Sequence, residues 1–132
     1  MGERTDMNEP TKMGTMRKAQ DGALLFSELA DDATLRSNLF KGVVQGRDAV
    51  TRMIDMIDSL CPRQNLIYRH RVGHRDFILT EAKLLSGDEV EISTVGIRDD
   101  SGWISAVMLD HSPPAVAAKL AKRLEHLRAH SE

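Results

Sequence analysis

The stretch from residue 65 to residue 111 constrains this 132-residue chain more than any other. It reads as successive strands, Asn65–Val72, Phe77–Leu85, Glu89–Arg98 and Trp103–Asp110. The breaks between them are Gly73-His74-Arg75-Asp76, Ser86-Gly87-Asp88 and Asp99-Asp100-Ser101-Gly102. Glycine accepts positive φ, and Asp and Ser side chains bond the nearby backbone, so each break suits a tight hairpin turn. An antiparallel meander follows, and the rest of the chain must cover one of its faces.

Turn lengths set the expected register. A two-residue turn at Gly87-Asp88 places Glu81 opposite Thr94. Four-residue turns at 99–102 and 73–76 place Thr94 opposite Val107 and Tyr68 opposite Glu81. Alternation along the strands then gives two faces. The expected inner face carries Leu66, Tyr68, His70, Phe77, Leu79, Glu81 and Lys83 from the first two strands. Ile92, Thr94, Val107, Leu109 and His111 join it from the last two. The expected outer face carries Ile78, Ala82, Leu84, Val95, Ile97, Ile104, Ala106 and Met108, with Arg69, Arg71 and Glu91 among them. One bulge exchanges the faces beyond it.

The flanking segments read as cover. Residues 1–11 are polar and expected to be a disordered tail, with a single domain over 12–132. Helical segments are expected from Lys12 to Gln20 and again after Asp21, where Leu24, Leu25, Phe26 and Leu29 fall at helical spacing. Ala33 to Phe40 alternates as a short strand. Arg47 to Leu60 places Ala49, Val50, Met53, Ile54, Ile57 and Leu60 on one helical stripe, and Pro62 ends it. A last helix is capped by Ser112, starts at Pro113, and carries Val116, Leu120, Leu124 and Leu127 on its apolar side. This order predicts an α+β fold, a curved antiparallel sheet with helices on its concave face, shaped as a cone around a pocket.

Charge and cysteine content narrow the function classes. A formal net charge of −2 gives no electrostatic case for nucleic acid or an anionic membrane. The cluster Arg69, His70, Arg71, His74 and Arg75 is basic, but alternation divides it and no aromatic platform accompanies it. The lone Cys61 forbids an intrachain disulfide and fits a reducing, cytoplasmic setting. The sequence shows no apolar run of signal or spanning length. His70 and His74 straddle a strand and a turn, and His126 with His130 make only a pair, so neither a metal nor another cofactor is expected.

Three motifs carry a family resemblance: Leu29-Ala30-Asp31-Asp32-Ala33-Thr34-Leu35, Gly46-Arg47-Asp48-Ala49-Val50 at a helix start, and Asp99-Asp100-Ser101-Gly102-Trp103-Ile104 before the last strand. In order and spacing the chain resembles the nuclear transport factor 2-like superfamily, in particular its SnoaL-like and ketosteroid-isomerase-like members, over residues 12–112. The resemblance implies a cystatin-like cone, dimers through the outer sheet face, and roles from isomerase or cyclase to ligand binding. It also implies that Leu109 and His111 point toward the cavity. The isomerase catalytic set does not carry over. Ser37 stands where a carboxylate base would be, Met13 where a tyrosine donor would be, and Thr94 or Gly96 where a protonated carboxylic acid would be.

The expected inner face still offers chemistry. Glu81 among Phe77, Leu79, Ile92 and Leu109 would be desolvated and suited to acid/base work, with Tyr68 as donor beside it. The plainer alternative pairs Glu81 with Lys83. His111, at a strand end, and His70 are candidate imidazole groups. The expected catalytic residues are therefore Glu81, His111 and Tyr68, and the expected ligand contacts are His70, Leu79, Thr94, Val107, Leu109 and Phe77. The function expected is binding, with or without isomerase, cyclase or dehydratase chemistry, of a small and largely apolar molecule. The alternative is a non-catalytic ligand-binding or dimerisation module. A homodimer through the outer sheet face is expected in either case.

Overall fold

The computed structural model describes residues 27–130. The polar tail and the first helices expected from the sequence lie outside the described residues, apart from the end of the second. The elements are β1 (Leu29–Ser37), β2 (Val44–Gln45), α1 (Arg47–Ser59), β3 (Gln64–Val72), β4 (Arg75–Lys83), β5 (Glu89–Arg98), β6 (Ile104–Ser112) and α2 (Pro114–His130). Leu29 opens β1 and does not extend a helix. Its spacing of four from Ala33 fits one face of a strand as well as one side of a helix.

One sheet holds all the described strands in the order β2-β1-β6-β5-β4-β3. The meander β3 to β6 is antiparallel, as expected. The sheet as a whole is mixed, because β1 lies parallel to β6. Bulges interrupt β3 between Leu66 and Tyr68 and the β5–β6 pairing after Ile97, and they add bend and twist to the sheet.

The register departs from the expected one at each meander turn, and at the connection between β4 and β5 the departure exchanges the faces. Lys83 pairs with Glu89, so residues 84–88 form the connection where two residues were expected. Leu84 N–H donates to Asp88 O and Gly87 N–H donates to Leu84 O, both at 2.8 Å. Gly87 takes the positive φ of 93° that closes the loop. Ser86, and then Lys119 from α2, bond the Asp88 carboxylate and hold its pKa below the ordinary value. Leu84 tucks into the core at 5% exposure, which favours this longer loop. The connection has an odd number of residues, so β4 and the β3 hairpin attached to it turn over relative to β5.

The concave face is therefore built from Asp76, Ile78, Thr80 and Ala82 on β4, all buried. On β5 it carries Val90, Ile92, Thr94, Gly96 and Arg98, and on β6 Ile104, Val107, Leu109 and His111. Helix α1 buries Val50, Met53, Ile54 and Ile57, and α2 buries Val116, Ala117, Leu120 and Leu124. These side chains join the apolar concave residues in one hydrophobic cluster. Helix α1 starts after Gly46, whose φ of 101° turns the chain out of β2 and whose N–H donates to Ala33 O. Helix α2 starts one residue later than expected, with Val116 and Ala117 N–H groups donating to Pro113 O.

The convex face carries Phe77, Leu79, Val95, Ile97, Ala106 and Met108, all half-buried and none in the cluster. Of the residues expected outside, Val95, Ile97, Ala106 and Met108 are there. Ile78, Ala82, Leu84 and Ile104 are in the core instead. Among the described residues, no helix is long and apolar enough to cross a membrane.

Candidate functional site

Polar groups on a buried apolar face need partners, so each one on the concave side is informative. They form two sets at opposite ends of the sheet. At the end near the β3–β4 and β5–β6 turns, Arg98 Nε donates to Asp76 Oδ2 at 2.6 Å and Nη1 to Gly102 O at 2.8 Å. Arg98 Nη2 lies 2.5 Å from Glu28 Oε1, an ion pair although off the line of a hydrogen bond. Arg71 Nε donates to the other Asp76 oxygen at 3.1 Å. The opposite charges balance and every carboxylate is engaged, so this set ties down two turns and leaves no reactive group free.

The other set is His111 with Thr80 and Thr94. Ile92 pairs with both Thr80 and His111, so these three form one row across the concave face. Thr94, flanked by Ile78 and Leu109, sits in the next row. Asn38 fixes the backbone of His111. Its Nδ2 donates to His111 O at 2.7 Å, and its Oδ1 accepts from His111 N–H at 2.9 Å. The amide side chain thus continues the β1–β6 ladder one step beyond Ser37 and Leu109. The imidazole itself is 2% exposed, and neither ring nitrogen has a hydrogen-bond partner. Burial without a partner disfavours the imidazolium and pushes its pKa down to about 4. His111 is thus neutral at physiological pH, with one nitrogen able to donate and the other to accept.

The structure brings together His111, Thr94, Val107 and Leu109 from the residues expected at the site. Tyr68, His70, Phe77, Leu79 and Glu81 lie on the convex side instead. Tyr68 pairs with Leu79 and His70 with Phe77, on the face opposite Ile78. Tyr68 is 52% exposed. Glu81 is exposed and stands opposite Glu91, where a desolvated acid was expected opposite Thr94. The longer 84–88 loop is the physical reason for all five. Sequence reasoning missed Thr80 and the Asp76–Arg98 pair for the same cause. The alternation Asp76, Ile78, Thr80, Ala82, Leu84 carried the signal, since it places four residues of good core size on one face. Among the described residues, no group of three or more His, Cys, Asp or Glu side chains converges as a metal site.

No family model matches the sequence, and no curated protein matches it. Solved structures do match its fold. A steroid delta-isomerase from Pseudomonas aeruginosa superposes with a TM-score of 0.73 and 17% identity, covering 84% of this chain and 82% of its own. A protein conserved in bacteria with a cystatin-like fold, from Silicibacter pomeroyi DSS-3, gives 0.72 and 13%, covering 85% and 78%. A nuclear transport factor 2-like protein of unknown function from Mesorhizobium loti gives 0.59 and 20%, covering 73% and 81%. A member of the SnoaL-like family from Agrobacterium tumefaciens is among the further matches. At these identities the likeness is one of architecture, and it is consistent: the chain has the nuclear transport factor 2-like fold, shared with SnoaL-like and ketosteroid-isomerase-like proteins.

Proposed function

We propose that this chain binds a small, largely apolar molecule on the concave face of its sheet, through one polar handle supplied by His111. The observation that carries the reading is the buried, neutral imidazole with both nitrogens unpartnered, among Ile92, Leu109 and the helices. Leaving a buried polar group unpaired costs about 1–3 kcal/mol. A ligand that brings a hydroxyl or carbonyl to the ring recovers much of that cost, while its apolar body replaces water-exposed surface of its own. Thr80 and Thr94 flank the same ground. Access requires the side chains around the ring to part, so the apparent affinity is lower than the contacts alone would give.

Binding without catalysis is the favoured form. Among the described residues Asp76 is the buried carboxylate, and two arginines hold it. Glu81 faces the other way. An imidazole with a pKa near 4 is a weak base at pH 7. The test is a thermal-shift series that pairs long-chain alcohols and ketones with hydrocarbons of equal size. The oxygenated compounds are expected to raise the melting midpoint more than their hydrocarbon partners, and His111→Leu to erase that difference. Equal shifts for both classes, or a difference that survives His111→Leu, contradicts the reading. Turnover of a bound compound moves it to an enzyme.

The convex face supports a second copy as partner. Phe77, Val95 and Met108 are cross-strand neighbours, as are Ile97 and Ala106, so the half-buried residues form one continuous apolar band. A two-fold contact buries that band from both chains. Sedimentation at micromolar concentration is expected to give twice the chain mass, and Ile97→Asp to return it to one. A monomeric parent, or a dimer that tolerates the change, refutes this interface.

A further inference from the structure

We propose that the edge of the sheet at β3, unpaired among the described residues, is a docking site for an extended, acidic segment of a partner protein, added as a further strand. Strand β3 closes the sheet on one side, and no described strand pairs beyond it. It is nine residues long, against two for β2 at the other edge. Alternate residues of an edge strand turn their N–H and C=O groups outward, ready to pair. The side chains along this edge are unusually apolar for their exposure. Leu66, Ile67, Tyr68 and Val72 are 45%, 48%, 52% and 57% exposed.

Charge identifies the occupant. From Arg63 to Arg75 the chain contains no acidic residue, yet it carries Arg63, Arg69, Arg71 and Arg75 with His70 and His74. Arg71 is neutralised by Asp76. Among the described residues, no ion pair engages Arg63, Arg69 or Arg75. This local excess stands in a chain whose formal net charge is −2. A second copy pairing edge to edge would set arginines against arginines, which is how natural sheets discourage self-addition. An acidic strand meets the same charges favourably.

Alternation favours a strand over a nucleic acid. Arg69 pairs with Ile78 and so belongs to the concave side, whereas His70 and Arg75 pair with Phe77 and Ile97 on the convex side. A polyanion lying on one face reaches one set only. A strand added to the edge presents side chains to both faces and can answer both.

The test uses a labelled peptide of the same length as β3, built from pairs of glutamates alternating with pairs of valines so that both faces carry acid. Fluorescence anisotropy in low salt is expected to show saturable binding, with amide exchange slowed across Asn65–Val72. Arg69→Glu with Arg75→Glu is expected to weaken binding at least tenfold, with the far-ultraviolet spectrum unchanged. A peptide of equal charge with paired prolines in place of the paired valines, which loses ladder donors whichever edge it turns to the sheet, is expected to bind at least tenfold more weakly. That arm alters the peptide, so it does not depend on any variant folding. Absence of binding overturns the proposal. Equal binding of the proline peptide reduces it to a charge contact and overturns it too. Tighter binding of oligothymidylate assigns the surface to nucleic acid. Exchange protection of β3 that rises with protein concentration alone assigns the edge to a second copy.

Discussion

Asp76→Ala is expected to cost about 3–5 kcal/mol of folding stability, read from urea unfolding at pH 7. The side chains of Asp76 and Arg98 are 3% and 7% exposed, and their nearest atoms are 2.6 Å apart. Removing the carboxylate leaves the Arg98 guanidinium buried with only Glu28 and Gly102 O to answer it. It also releases Arg71. The loss is that of an uncompensated buried charge, which exceeds the net worth of the pair itself. The distinction can be measured. Asp76→Leu combined with Arg98→Met removes both charges together and is expected to recover most of the loss, because apolar replacements of similar volume are often neutral or better at such sites. A single variant that costs under about 1 kcal/mol, or a double variant worse than the single, means that the pair does not hold this end of the sheet.

Acid is expected to destabilise the protein through His111. Its folded-state pKa is lowered from 6.5 to about 4 because burial excludes the charged form. The unfolded chain takes up the proton first, so stability is highest above pH 6.5 and falls as pH drops toward 4. At 1.36 kcal/mol per pKa unit the fall amounts to about 3 kcal/mol from this one group. Carboxylates also titrate in acid, so the informative quantity is a difference between two proteins. His111→Leu removes the ring and leaves the carboxylates in place. At pH 7.5 it is expected to match or exceed the parent in stability, because an unpartnered polar group has been replaced by an apolar one. Between pH 7.5 and 4.5 it is expected to lose about 2.5 kcal/mol less than the parent. Curves that run parallel through this range contradict a buried neutral His111.

The fold was legible because its main signals are local. The glycines and aspartates of the turns, the stripe from Ala49 to Leu60 and the pattern Val116, Leu120, Leu124 each fix one element without reference to the others. The faces were only half legible, because the side on which a residue points depends on the parity of every turn between strands. The β3–β4 turn kept the expected parity, and the bulge after Ile97 restored it on β6, so Thr94, Val107, Leu109 and His111 fell where alternation placed them. The 84–88 loop did not, because burying Leu84 and anchoring Asp88 to Ser86 and Lys119 outweighed a shorter turn at Gly87-Asp88. That contact with α2 is non-local and leaves no local mark in the sequence. It moved Glu81 and Tyr68 away from His111, and with them the acid/base set. The buried Asp76–Arg98 pair spans two turns and was hidden for the same reason, with Asp76 reading as a turn residue.

In the proposed function, a neutral, unpartnered His111 meets a polar group of the ligand on the concave face. The direct measurement is long-range proton–nitrogen correlation NMR of the histidine rings at pH 6, first alone and then saturated with the best oxygenated compound from the thermal-shift series. The expected result is a neutral His111 ring from pH 7.5 down to pH 5, and a shift of one ring nitrogen on saturation that the matched hydrocarbon does not produce. A ring already protonated at pH 6, or nitrogen shifts unmoved by a compound that stabilises the fold, contradicts it.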